Sequence, residues 1–124
     1  MSAVIHPFRA GAAINKFCAV KINAYTANAV EVIAATATTD AVIGIAQTTV
    51  VAGEDVGVCI FGETYVVANG AFTLGDLLCC VAAAGLVDTA GAAARAFGIA
   101  LQTATAQNDQ VKCLVGVGVG QSNA

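Results

Sequence analysis

The sequence is short of charge, proline, histidine and tryptophan. Of its 124 residues only 10% are Asp, Glu, Lys or Arg, and it has one Pro, one His and no Trp; globular chains average about 25% charged residues. Five Lys and Arg face eight Asp and Glu, giving a net charge of −3, and the cations Arg9, Lys16, Lys21, Arg95 and Lys112 are scattered. An acidic chain without a basic cluster has little with which to displace counterions from a phosphate backbone, so nucleic acid is not an expected partner. The single His6 lies beside Pro7 in the leading segment and has no second histidine with which to form a metal set or a relay. Long apolar runs are also missing. The longest uncharged one, residues 77–87, lies between Asp76 and Asp88 and contains Gly85. It is far shorter than the roughly 20 residues of a spanning helix. The first residues show no basic segment leading into an apolar stretch and a cleavage site, so neither a secretory signal nor a membrane partner is expected.

Small and aliphatic residues fill the chain instead. It is 58% hydrophobic, with a mean hydropathy of +0.81 and a pI near 4.7, which excludes disorder. The length allows one domain. A compact monomer of this mass exposes roughly 6,000 Å², more than so few charged side chains can cover. The surface is therefore either unusually bland or hidden against other copies or a partner.

Internal repetition is the strongest pattern. Residues 43–62 align without a gap on residues 97–116. Gly44/Gly98, Ile45/Ile99, Ala46/Ala100, Thr49/Thr103, Ala52/Ala106, Asp55/Asp109, Cys59/Cys113 and Gly62/Gly116 are identical pairs. Upstream, Asn15-Lys16 before an apolar strand matches Gly75-Asp76 before another, and residues 30–34 match residues 85–88. The period is two: Val111, Cys113 and Val115 share one face with Lys112 on the other, and Glu31 points away from Val30 and Val32. Ala52-Gly53-Glu54-Asp55 and Ala106-Gln107-Asn108-Asp109 read as hairpin loops, and residues 65–70, ending Asn69-Gly70, read as the turn joining the halves. The expected fold is all-β, a small barrel built from two repeated β units, about 14–64 and 70–118, within one domain of residues 14–124. Residues 1–13 form an extended N-terminal arm. Residues 89–96 and their counterpart 36–41 read as loop or a single turn, because the Thr-rich copy is a poor helix former.

Candidate chemistry is sparse. Five cysteines is an odd number, none is spaced Cys-x-x-Cys, and Cys79-Cys80 are adjacent, which suits neither a metal tetrahedron nor an easy bridge. Cys59 and Cys113 align in one apolar slot, as small hydrophobes would; bridges between subunits in an oxidising medium stay open. Glu54-Asp55 reads as turn chemistry rather than as paired carboxylates, given Asn108-Asp109 at the matching place. Gly116-Val-Gly118-Val-Gly120 opens no helix and so is no phosphate loop. No catalytic, metal or cofactor-binding residue is assigned. The one candidate interaction segment is the arm, Val4, Ile5, His6, Pro7, Phe8 and Arg9. It is apolar, held extended around its proline, and expected to lie across a neighbour as an added strand; the alternative is a frayed terminus.

The order of these motifs resembles the head-decoration, or capsid cement, proteins of tailed bacteriophages. The resemblance rests on Gly70-Ala-Phe-Thr-Leu-Gly-Asp-Leu-Leu, Gly85-Leu-Val, Ala96-Phe-Gly-Ile-Ala-Leu and Asp109-Gln-Val-Lys-Cys-Leu-Val-Gly116. In the first half it rests on Ile43-Gly-Ile-Ala46 and Val56-Gly-Val-Cys-Ile-Phe-Gly62, with Asn15-Lys16 in place of the Gly-Asp pair. It implies a β-tulip-like barrel, a homotrimer on the outer surface of the capsid, and a mechanical role. That role is binding the major capsid protein and holding the shell against packaged DNA, without a cofactor. The implied location is the virion, with the host cytoplasm during assembly. Two other classes stand beside it: a ligand- or receptor-binding β-barrel of a virion fibre or carrier, and a thiol-dependent enzyme built on Cys79-Cys80.

Overall fold

The computed structural model describes residues 3–82, 85–90, 94–116 and 121–122. Strands run in the order β1 (Val4–Ala10), β2 (Ala19–Thr26), β3 (Ala29–Ala34), β4 (Val42–Ala46), β5 (Asp55–Val67), β6 (Leu77–Ala82), β7 (Leu86–Thr89), β8 (Arg95–Ala96), β9 (Gly98–Ala100), β10 (Gln110–Val115) and β11 (Gln121–Ser122). The fold is all-β, as the alternation of apolar and polar residues requires.

The nine-stranded sheet has the order β1-β3-β2-β4-β5-β10-β9-β6-β7, and β1 also pairs with β5. That extra pairing closes β1, β3, β2, β4 and the first half of β5 into a five-stranded barrel. β1 is antiparallel to β5, from Val4 opposite Phe61 to Arg9 opposite Asp55, and parallel to β3 at Arg9 and Ala10. Each strand sends one side inward. Ala10, Val20, Val32, Ala46, Val56 and Val58 are buried together with Ile14 and Val50. The opposite faces of β2, β4 and β5 place Ala19, Ile45 and Cys59 in a second, larger core shared with the rest of the chain.

The second half repeats the first, with the remainder of β5 in the role of β1. Residues 62–67 pair antiparallel with β10, and Ala68 bridges Val87 in parallel, as Ala10 does Val32. Ala10 N–H donates to Glu54 O and Ala68 N–H to Asp109 O; Gly53 N–H donates to Ala10 O and Asn108 N–H to Ala68 O. The matching core residues Ala68, Phe72, Leu78, Val87, Ala100 and Ala104 are all buried. β5 thus runs through the seam as one 13-residue strand, and the turn expected at residues 65–70 is confined to the bend at Asn69-Gly70. The repeat units meet within β5 near Gly62, whose φ of 109° only glycine adopts without strain.

Two details of the ungapped alignment are corrected by this pairing. Val58 lies opposite Ala46 and Cys113 opposite Ala100, so Cys113 is the equivalent of Val58, and Cys59 that of Leu114. One extra residue, Thr105, enters the second copy before its loop, where Asp109 takes the place of Glu54. Upstream, Phe17 N–H donates to Ala46 O and Gly75 N–H to Ala100 O, so Phe17-Cys18, not Asn15-Lys16, stands where Gly75-Asp76 stands. The strand alternation itself holds: Val111, Cys113 and Val115 are buried and Lys112 is not. Thr36 to Ala41 is a turn whose Thr36 and Ala37 N–H groups donate to the Asp40 carboxylate. Residues 91–93 of the matching segment lie outside the described residues.

Candidate interaction surface

Val4, Ile5, His6, Pro7, Phe8 and Arg9 do not form a separate arm. They are β1, a wall of the barrel, because closing the sheet satisfies a backbone that a free arm would leave to solvent. What they offer outward is limited and specific. Val4 is 49% and Ile5 46% exposed. Pairing with β3 begins only at Arg9, so before it β1 has a partner on β5 alone, where a proline is tolerated. His6 Nδ1 lies 2.9 Å from Pro7 O, and the His6 and Phe8 rings stand 4.7 Å apart, tilted by 40°. Where β1 and β3 diverge they leave a groove of about 320 Å³ lined by His6, Phe8, Arg9, Asn28, Val30 and Asp55 among others. The β2–β3 turn at its rim places Ala27 and Asn28 at φ 52° and 63°, the two-residue geometry that suits a twisted hairpin.

A second surface lies farther along β5 and was not legible in the sequence. Phe17 and Tyr65 have ring centroids 5.6 Å apart, Lys16 Nζ sits 4.8 Å from the Phe17 ring centroid, and Lys112 lies opposite Tyr65 on β10. Phe17 occupies φ 66°, a left-handed conformation costing a bulky residue about 1–2 kcal/mol, where the second copy has Gly75 at φ 92°. Its ring is half-buried and packs against the main core. Two of the chain's five cations thus meet an aromatic pair. The available signal was the pairing of Lys16-Phe17 with Leu74-Gly75, which the upstream match of Asn15-Lys16 to Gly75-Asp76 displaced.

The residues weighed for other chemistry are structural. All five cysteines are buried. Burial pushes the thiols of Cys18, Cys59 and Cys79 up, the last helped by Asp88, and it pushes Cys113 up to about 12, with Cys59 adding to the effect. A thiolate nucleophile needs the reverse. Cys79 and Cys80 belong to different clusters on opposite sides of β6. Glu54 Oε1 accepts from Val51 N–H at 2.9 Å, and Asp109 accepts from the N–H groups of Thr105 and Ala106, so both acids hold turns. Of the Gly116–Gly120 repeat, residues 117–120 lie outside the described residues. Among the described residues no group of three or more His, Cys, Asp or Glu is placed to hold a metal ion, and no helix is long and apolar enough to cross a membrane.

No family model matches the chain, nor does any curated protein. Among solved structures it is similar to the N base of the head fiber gp8.5 of bacteriophage phi29. The TM-score is 0.71 at 18% identity, over 92% of this chain and 94% of that one. At that identity the likeness establishes the fold.

Proposed function

We propose that this chain is a structural protein of a bacteriophage head. In this reading it is a decoration or cement module that binds the major capsid protein on the outer surface of the shell as a homotrimer, and it is made in the host cytoplasm before joining the virion. The observation that carries the reading is the likeness over nearly the full length of both chains to a module whose name places it at the base of a head fiber. The order of motifs along the sequence points the same way. The chemistry is compatible with a mechanical role: buried thiols of raised pKa, acids engaged in turns, and exposed apolar side chains such as Ile22, Val51, Phe61 and Leu74. Weak individual contacts suffice for it, because a multimer engaging several coat subunits gains about 10²–10⁴ in avidity, and every occupied site stabilises the assembled shell by mass action.

A second reading, the base of a head fibre, is favoured by the neighbour's own name. The test is to assemble heads in a host lacking this coding sequence and add the purified chain. Saturable co-sedimentation with heads supports the proposal, and absence of binding at every concentration refutes it. Heads that then retain DNA to a higher temperature identify a cement; heads that bind the chain without such a gain identify a fibre base.

A further inference from the structure

Asparagine is a chemically labile residue, and its lability depends on the residue that follows it. The main-chain nitrogen of that residue can attack the Asn Cγ, most readily when it belongs to glycine, which has no Cβ to crowd the approach. Of the six asparagines only Asn69 precedes a glycine. The structure sets it apart from the others as well. Lys16 N–H, after Asn15, donates to Thr49 Oγ1, and Asp109 N–H, after Asn108, donates to Ala106 O. Asn23 and Asn28 precede Ala24 in β2 and Ala29 in β3, and Asn123 lies outside the described residues. Asn69 and Gly70 instead form a half-buried bend between two anchored points. Ala68 bridges Val87 and Phe72 bridges Ala104, while Asn69 N–H donates to Val87 O. Among the described residues none accepts from Gly70 N–H or bonds the Asn69 side-chain amide. Apart from its chain neighbours, a Cβ at Gly70 would meet one atom within 4 Å, Asp88 Oδ2 at 3.3 Å. The fold does not require this glycine: Gly70 is not among the residues at positive φ, and Ala12 holds the matching place, two residues after Ala10 as Gly70 is after Ala68.

We infer that Asn69-Gly70 is a deamidation site of the folded chain. Hydroxide removes the Gly70 N–H proton and the nitrogen forms a bond to Asn69 Cγ. The Cγ–Nδ2 bond breaks to release ammonia, which takes its third proton from water and so regenerates hydroxide. Water then opens the five-membered imide at either carbonyl. One opening leaves an aspartate at that position. The other leaves an isoaspartate, which routes the main chain through the former side chain and lengthens it by one methylene between the two bridges. Either product adds a carboxylate near that of Asp88, and like charges at short range repel. The second half is the one loosened, because the Ala68–Val87 pair closes it where the first half has two such pairs, Arg9 with Glu31 and Ala10 with Val32. Gly11-Ala12, at the matching place in the first half, carries no amide side chain to react. The inference does not depend on what the chain binds.

Incubating the whole folded chain at mildly alkaline pH and mapping its peptides by mass spectrometry tests it. The expected change at Asn69 is the exchange of the side-chain NH2 for OH, with isoaspartate revealed by labelling with an isoaspartyl methyltransferase. Asn15, Asn23, Asn28 and Asn108 should stay unchanged over the same interval. Gly70→Ala should reduce conversion at Asn69 to the level of those four, with circular dichroism unchanged. The modified fraction, separated by ion exchange through its added charge, should unfold at a lower urea concentration than the parent. An Asn69 that stays intact in the folded chain over an interval that converts it in the urea-unfolded chain would overturn the inference, as would conversion indifferent to Gly70→Ala. A modified fraction with the parent's urea midpoint would overturn the loosening of the second half.

Discussion

Replacing Phe17 separates backbone strain from ring packing. Phe17→Gly and Phe17→Ala remove the same ring. Each loses its contact with Tyr65, worth about 0.5–1.5 kcal/mol, and with Lys16, worth about 0.5–1 kcal/mol. Each also loses the half-buried ring area against the main core, worth about 1–1.5 kcal/mol. Both variants should therefore be less stable than the parent by about 2–4 kcal/mol, before any relief of strain. The difference between them comes from the backbone. At an ordinary site Ala is the more stable by about 0.4–1 kcal/mol, because glycine has more freedom to lose. At φ 66° a Cβ costs about 1–2 kcal/mol, which reverses the order and leaves Gly ahead by about 0.5–1 kcal/mol. Gly75→Ala is the control: a Cβ there meets nothing within 4 Å, so its cost is conformational. Urea denaturation reads the difference as a midpoint shift of a few tenths molar, given a slope of about 1–3 kcal/mol per molar. A Phe17→Ala variant as stable as the Phe17→Gly one, together with a neutral Gly75→Ala, would refute the left-handed turn and with it the equivalence of the two halves there.

Other perturbations test the remaining parts. Cys113→Ser should destabilise by about 1–3 kcal/mol, since it buries a hydroxyl at a site with no exposure, and a neutral urea midpoint would contradict that burial. Deleting residues 1–10 removes the strand that closes the barrel and opens Val32, Val56 and Val58 to water; loss of the cooperative unfolding transition is expected, whereas an intact transition would mean that β1 is dispensable. Asp40 and Asp109 have carboxyl pKa values held down, chiefly by N–H donation from Thr36 and from Thr105 respectively. A depressed folded-state pKa contributes stability above the unfolded value, near pH 4, which is lost as pH falls through the folded one. The fall in the urea midpoint below about pH 4 should therefore be shallower in Asp40→Asn and Asp109→Asn; identical slopes would contradict it.

The β class, the duplication and the burial of the thiols were legible because they rest on local alternation and on identities such as Gly44/Gly98 and Ile45/Ile99. The register was not. Asp55/Asp109 and Cys59/Cys113 are coincidences of type, while the true counterparts Glu54/Asp109 and Val58/Cys113 are related by role rather than identity, and Thr105 is a one-residue step no ungapped match can absorb. Residues 4–10 read as an arm because their counterpart, residues 62–68, shares only the final alanine and is hidden inside β5. Pro7 strengthened that reading, although a strand paired on one side accommodates it. The surface around Tyr65 joins residues far apart in the chain, brought together only because β5 continues past Gly62.

Imaging heads with the bound chain by electron cryomicroscopy tests the central claim most directly. The account predicts discrete β-rich density on the outer face of the shell at a symmetric site, into which the five-stranded barrel and its duplicated half fit. Outer faces that are bare at saturating chain, or density confined to the interior, would contradict it.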